Sequence, residues 1–168
     1  MTENAGAQRS GGEAEPRWLR GGELSAWKSM ARVLTTLVPA LERQLERDAN
    51  LNWMEYHALA LLSDQEGHTL RMSDLASRAA SSLSRLSHVI ARLERQGLVY
   101  RVPDPQNGRY VRTTLTREGY EKLAAVAPAH VEKVRTLVFD VLEPDELKML
   151  KPLFDRIYAA IEEAERRG

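Results

Sequence analysis

Residues 71–116 predict a mainly α, mixed α+β fold: two short helices about a tight turn, then two strands joined by a polar loop. Three observations carry that expectation. Leu83, Leu86, Ile90 and Leu93 recur at helical spacing, with Val89 at the edge of the stripe, while Ser81, Ser84, Arg85, His88 and Arg92 fall opposite them. LVYRV and RYVRTTL have strand composition, and the intervening PDPQNG carries Asn107-Gly108, a pair suited to positive φ in a turn. From Arg78 to Arg117 there are eight arginines against Glu94 and Asp104, a net of +6 in a chain whose charges otherwise balance to zero. The pattern is that of a winged helix-turn-helix, and a basic patch in a neutral protein is the electrostatic footprint of nucleic-acid binding. Short hydroxyls, an imidazole and guanidinium groups on one helix face suit base edges and phosphates in a major groove.

Taken in order, residues 1–22 hold five of the ten glycines and little apolar surface, so a mobile tail is expected, with Trp18 as the residue able to dock. A first helix over 23–48 follows from Leu24, Trp27, Met30, Leu34, Leu37, Val38, Leu41 and Leu45, with Pro39 expected to kink it near Thr35. Asn50 or Asn52 caps a second helix from Trp53 to Leu62, whose Trp53, Tyr56, Leu59, Ala60 and Leu62 point inward. Thr69-Leu70 adds a short strand against the wing base, and Ser73 caps a third helix carrying Leu75 and Ala76. The recognition helix spans 82–96, closed by Gly97, and the wing spans 98–115, completing a DNA-binding domain over 50–116.

Thr116 starts a further helix, interrupted at Pro128 and ending near Asp140, and after LEPDE a last helix, bent by Pro152, runs to Arg167. These helices at 23–48 and 117–167 keep long apolar faces. A bundle within one chain could bury them, but they present more apolar surface than a small winged domain covers. A homodimer with an all-helical dimerisation region is therefore expected.

Composition excludes several classes. The absence of cysteine removes disulfides, thiolate catalysis and cysteine zinc sites. No apolar run approaches the roughly 18 residues of a membrane span, and the N-terminus lacks a signal-peptide core, so a cytoplasmic protein without membrane contact is expected. No GxSxG elbow, HExxH helix or phosphate-cradling glycine loop is present, and His57, His68, His88 and His130 form no constellation. Neither enzymatic activity nor a metal or cofactor is expected.

LNWMEYHALALLSD, LRMSDLA, SRLSHVIARLERQGLVYRVPDPQNGRYVRTTLTREG and LEPDEL resemble the MarR (multiple antibiotic resistance regulator) family over about residues 24–165. RLERQGLVYR followed by DPxxGR and LTxxG is the most specific part. The resemblance implies a homodimeric transcriptional repressor with its first, fifth and sixth helices intertwined. It also implies a pseudo-palindromic double-stranded DNA operator, and release by a small phenolic or aromatic effector. Residue by residue, it implies DNA contacts from Ser82, Ser84, Arg85, Ser87 and His88. Arg92 would contact backbone or brace the wing, and Arg109 would enter the minor groove. Two positions depart from the family pattern: Asn107 replaces the aspartate that holds the wing arginine, and Ala91 replaces an acid before Arg92. Trp27, Trp53, Tyr56 and His57 are the candidate effector residues, although aromatics at such positions are more often ordinary core. The alternative function is an architectural or protein-binding winged-helix module without ligand control.

Overall fold

The computed structural model describes residues 16–167. The tail expected over 1–22 lies mostly outside the described residues; within them, Trp18 is undocked, at 72% exposure. The first helix, α1 (Gly22–Ala49), runs continuously through Pro39. Proline has no N–H to offer Thr35, and Thr35 Oγ1 turns back onto the carbonyls of Ala31 (2.9 Å) and Arg32 (3.0 Å). The chain divides into two compact units after Thr35, at the turn this proline weakens. In the first unit, the α1 residues Leu24, Trp27, Val33 and Leu34 are exposed.

The second unit contains the rest of α1 and every other element. Helix α2 (Trp53–Ser63) begins at a complete capping box: Asn52 Oδ1 accepts from Glu55 N (2.8 Å), and Glu55 Oε2 accepts from Asn52 N (2.9 Å). Asn52 is therefore the cap, while Asn50 supplies a residue at positive φ just after α1. The inward face of α2 is Glu55, Ala58, Leu59 and Leu62; Trp53, Tyr56 and Ala60 are only half-buried, so the expected face was rotated.

Strand β1 (Thr69–Arg71) leads directly into α3 (Met72–Arg78). Ser73 is not the cap. Arg71 occupies that position without capping through its side chain, because a guanidinium has no acceptor to offer the first-turn N–H groups; Met72 already packs into the core. After a turn, α4 (Leu83–Arg95) runs between an N-cap at Ser82 and a C-cap at Gln96, with Gly97 beyond it at φ +73°. Strands β2 (Val99–Pro103) and β3 (Val111–Leu115) form the wing, and β3 lies between β1 and β2, antiparallel to both. Register runs from Val99 opposite Leu115 to Pro103 opposite Val111.

Helix α5 (Arg117–Val134) is capped by Thr116, whose Oγ1 accepts from Gly119 N at 3.0 Å and donates to Gly97 O at 2.8 Å. It too continues through its proline, Pro128, and ends in a π-helical turn over Arg135–Phe139. Helix α6 (Pro144–Arg167) buries no residue within the chain. The core lies under the winged part, where Leu51, Leu59, Leu62, Leu75, Leu86, Ile90 and Leu93 are fully enclosed. No helix among the described residues is long and apolar enough to cross a membrane.

Candidate nucleic-acid interface

The polar face of α4 is presented because its apolar face is anchored. Leu86, Ile90 and Leu93 are completely buried, and a helix fixed along one stripe must show the other. Ser82, Ser84, Arg85, His88 and Arg92 are exposed and Ser87 is half-buried. Leu83, expected on the buried stripe, is instead 54% exposed; in the first turn of α4 it looks across a cleft toward Met72, Tyr110 and Val111 of α3 and the wing. Ser82 is held by a structural task, its Oγ accepting from Arg85 N at 3.3 Å.

The arginines separate by partner. Arg101 grips Glu94 with Nε at 3.0 Å and a terminal nitrogen at 2.6 Å, tying the end of α4 to β2 and holding the Glu94 carboxyl below its usual range. The partner of Arg92 lies in α2 and not in the wing. Arg92 Nε stands 3.0 Å from Oε1 of the fully buried Glu55, joining α4 to α2. Ala91 therefore leaves Arg92 with an acid after all, supplied from a different helix. Arg117 pairs with Glu121 in α5. Arg85 and Arg109 have no acidic partner among the described residues, so their charges remain available to an incoming anion.

Within the wing, Asn107 and Gly108 do not take positive φ. The loop over residues 104–110 is too long for a two-residue turn, and Asn107 acts through its side chain, Oδ1 accepting from Arg109 N at 3.1 Å. Arg109 is exposed at the tip.

Of the residues expected to hold an effector, Trp53, Tyr56 and His57 gather in the second unit. Trp27 lies in the first, half-exposed. Sequence reasoning missed the centre of this group. His130 of α5 is buried against Tyr56, with ring centroids 4.3 Å apart, and against Trp53 at 5.9 Å. Its Nδ1 lies 3.2 Å from Oε1 of the buried Gln44. Burial lowers both His57 and His130 below the ordinary histidine pKa and raises Tyr56. A cavity of about 420 Å³ is lined by Val38, Glu42, Trp53, Met54, Arg85 and His88, among others; Tyr56 and His57 do not reach it. Also missed were Glu55, which the N-x-x-E spacing at Asn52 could have signalled, and Asp104.

The MarR family profile matches residues 51–111. Over 122 residues the chain is 32% identical to the HTH-type transcriptional regulator FarR of Neisseria gonorrhoeae, covering 73% of this chain and 81% of that protein. The crystal structure of Sco3205, a MarR family transcriptional regulator from Streptomyces coelicolor in complex with DNA, superposes with a TM-score of 0.83. It has 43% identity and covers 87% of this chain and 91% of that one. This chain belongs to the MarR family. AbsC, a second MarR family regulator from Streptomyces coelicolor, matches at 37% identity and a TM-score of 0.83, covering 88% of this chain and 99% of its own. The polar face of α4 and the arginine-tipped wing thus belong to a transcriptional regulator's fold.

Proposed function

We propose that this MarR-family regulator is a cytoplasmic homodimeric repressor that reads a pseudo-palindromic operator. Each protomer sets Ser84, Arg85, Ser87 and His88 of α4 into a major groove, with Ser82 and Arg92 on the flanking backbone and Arg109 in the adjacent minor groove. The observation carrying this reading is the exposed, acid-free pair Arg85 and Arg109, one on a helix locked by its buried face and one on a braced wing. Guanidinium groups suit both guanine edges and narrow minor grooves. Sco3205, solved with DNA, lends support from a relative.

Dimerisation is supported by apolar surface left uncovered on α1 and α6, including Trp27, Leu34, Phe154, Ile157 and Ile161. Control by a small phenolic or aromatic effector is supported by the cavity in which Trp53 shares walls with Arg85 and His88. A ligand there competes with DNA for the same two side chains.

Selection of bound duplexes from random-sequence DNA tests the reading. Half-sites roughly 10 bp apart, centre to centre, are expected for a symmetric dimer, with sequence-selective retardation in a gel-shift titration. Uniform retardation of selected and random duplexes would overturn it in favour of an architectural role, and no retardation would favour a protein-binding module.

A further inference from the structure

The family pattern puts an aspartate where this chain has Asn107, yet the wing is strongly tied. The tie runs through Asp104, a residue only 3% exposed at the base of the loop. Its Oδ2 accepts from Arg71 Nε at 2.7 Å and lies 3.3 Å from Arg112 Nε. Its Oδ1 accepts from the backbone N–H of Gln106 at 2.9 Å and of Asn107 at 3.3 Å. The main chain closes the same loop, Asp104 N donating to Tyr110 O at 2.8 Å and Tyr110 N to Asn107 O at 2.9 Å. Arg71 also covers the Tyr110 ring, its guanidinium carbon 5.1 Å from the centroid. One carboxylate thus joins β1 at the start of α3, strand β3 and the turn that presents Arg109.

We propose that Asp104 is the positioning residue of the wing, aiming Arg109 through the Arg71–Asp104–Arg112 cluster in place of the aspartate missing at position 107. This rests on the DNA-binding reading of Arg109. Asp104 itself touches no DNA. Hydrogen bonding from Arg71 holds its carboxyl below the usual carboxylate range, so it is charged at neutral pH and Asp104→Asn removes charge with little change of shape. The sign of the effect is diagnostic. Deleting a negative charge from a DNA-facing surface strengthens binding if long-range electrostatics alone act. Loss of wing geometry weakens it.

The test is a double-mutant cycle on the full chain, with Asp104→Asn, Arg109→Ala and both together. Fluorescence anisotropy would follow a duplex selected by the wild-type protein and a random duplex, across a salt series. Asp104→Asn should weaken binding to the selected duplex about tenfold, the order of loss expected of Arg109→Ala itself. It should also lower the log–log salt slope by up to about 0.9 per wing arginine displaced. In the Arg109→Ala background it should change affinity by about twofold or less, since coupled sites are non-additive. Tighter binding by Asp104→Asn, or an equal loss in both backgrounds, would overturn the proposal. If Asp104→Asn does not fold, Arg71→Gln replaces it in the same cycle, because it removes the 2.7 Å partner and leaves Asp104 capping the turn. A wild-type protein that does not distinguish the two duplexes would sink the DNA reading itself, a failure visible before any variant is measured.

Discussion

Helices α4 and α6 are both amphipathic and both rich in charge, yet they end in opposite states. On α4, Leu86, Ile90 and Leu93 are sealed beneath α2, α3 and the wing. On α6, Phe154 is 51% and Ile161 50% exposed, and no residue is buried. One helix buries its stripe within the same chain, and the other buries no residue there among the described residues. An isolated helix gains little stability in water without an apolar surface to cover. The pair therefore separates the apolar stripe that one protomer covers by itself from the stripe that the proposed second copy would cover.

The strongest way to break that contrast is to truncate both stripes. Ile90→Ala should lower unfolding free energy by about 2–5 kcal/mol, because it opens a cavity in a fully enclosed site. The loss should not vary with protein concentration in denaturant titrations. Ile157→Asp should leave the winged core intact and shift self-association, read by sedimentation as a concentration-dependent change in mass. An Ile157→Asp protein that sediments as wild type at every concentration would remove the distinction between the two helices.

A second contrast sharpens the first, at a pair of glycines. A Cβ on Gly119 would lie 2.1 Å from Leu98 O and 2.7 Å from Leu115 Cδ1, where the first turn of α5 presses on the root of the wing. Gly108, at the wing tip, has nothing within 4 Å. Gly119→Ala should cost about 1–3 kcal/mol by overpacking, whereas Gly108→Ala should stay within about 0.5 kcal/mol. Thermal unfolding of the two variants side by side decides it.

Those glycines also show what the sequence made legible. LTxxG could be read as a motif, but the reason for its glycine, the carbonyl of Leu98 just before β2, is a tertiary contact that no local pattern encodes. Periodicity located α4 and its polar face, since Leu86, Ile90 and Leu93 repeat on one stripe. It misplaced Leu83, because at a helix end the neighbouring wing and not the repeat sets burial. Proline was over-read at Pro128, where the expected interruption is a helix that continues. Pro39, Pro128 and Pro152 each lie within a helix that continues. A proline inside a helix costs about 3 kcal/mol or more through the lost hydrogen bond and the ring clash, and the packing and hydrogen bonds around it can outweigh that. The ion pairs were least legible, because Arg92 to Glu55 and Arg71 to Asp104 span 37 and 33 residues of sequence.

A smaller effect tests the two exposed faces of DNA recognition. His88 stands on α4 beside Arg85, and Arg109 on the wing. His88→Ala should weaken binding to a selected duplex by about tenfold while leaving random DNA nearly untouched, as expected for a base-reading contact. Arg109→Ala should weaken both and lower the salt slope by about 0.9 per wing. Equal losses on both duplexes for His88→Ala would reduce it to a phosphate contact and erase the difference between helix and wing.

The gentlest comparison sets the aromatic junction against the wing by pH. His57 and His130 lie below their ordinary 6.5 because burial disfavours the imidazolium. The unfolded chain then binds more protons than the folded one once pH drops under about 6.5. Stability is full above that value and falls as pH descends toward the lowered folded-state values. Asp104 and Glu94 are also lowered, but by arginine hydrogen bonds. Their contribution is present above their ordinary carboxylate values and lost only in more acid solution. Denaturant midpoints across pH should thus show two separate declines. His130→Gln should flatten the upper one, because glutamine can still meet Gln44 without titrating, while Asp104→Asn should flatten only the lower. A His130→Gln protein that keeps the full upper decline would mean that the buried ring is not what couples protons to the junction of α1, α2 and α5.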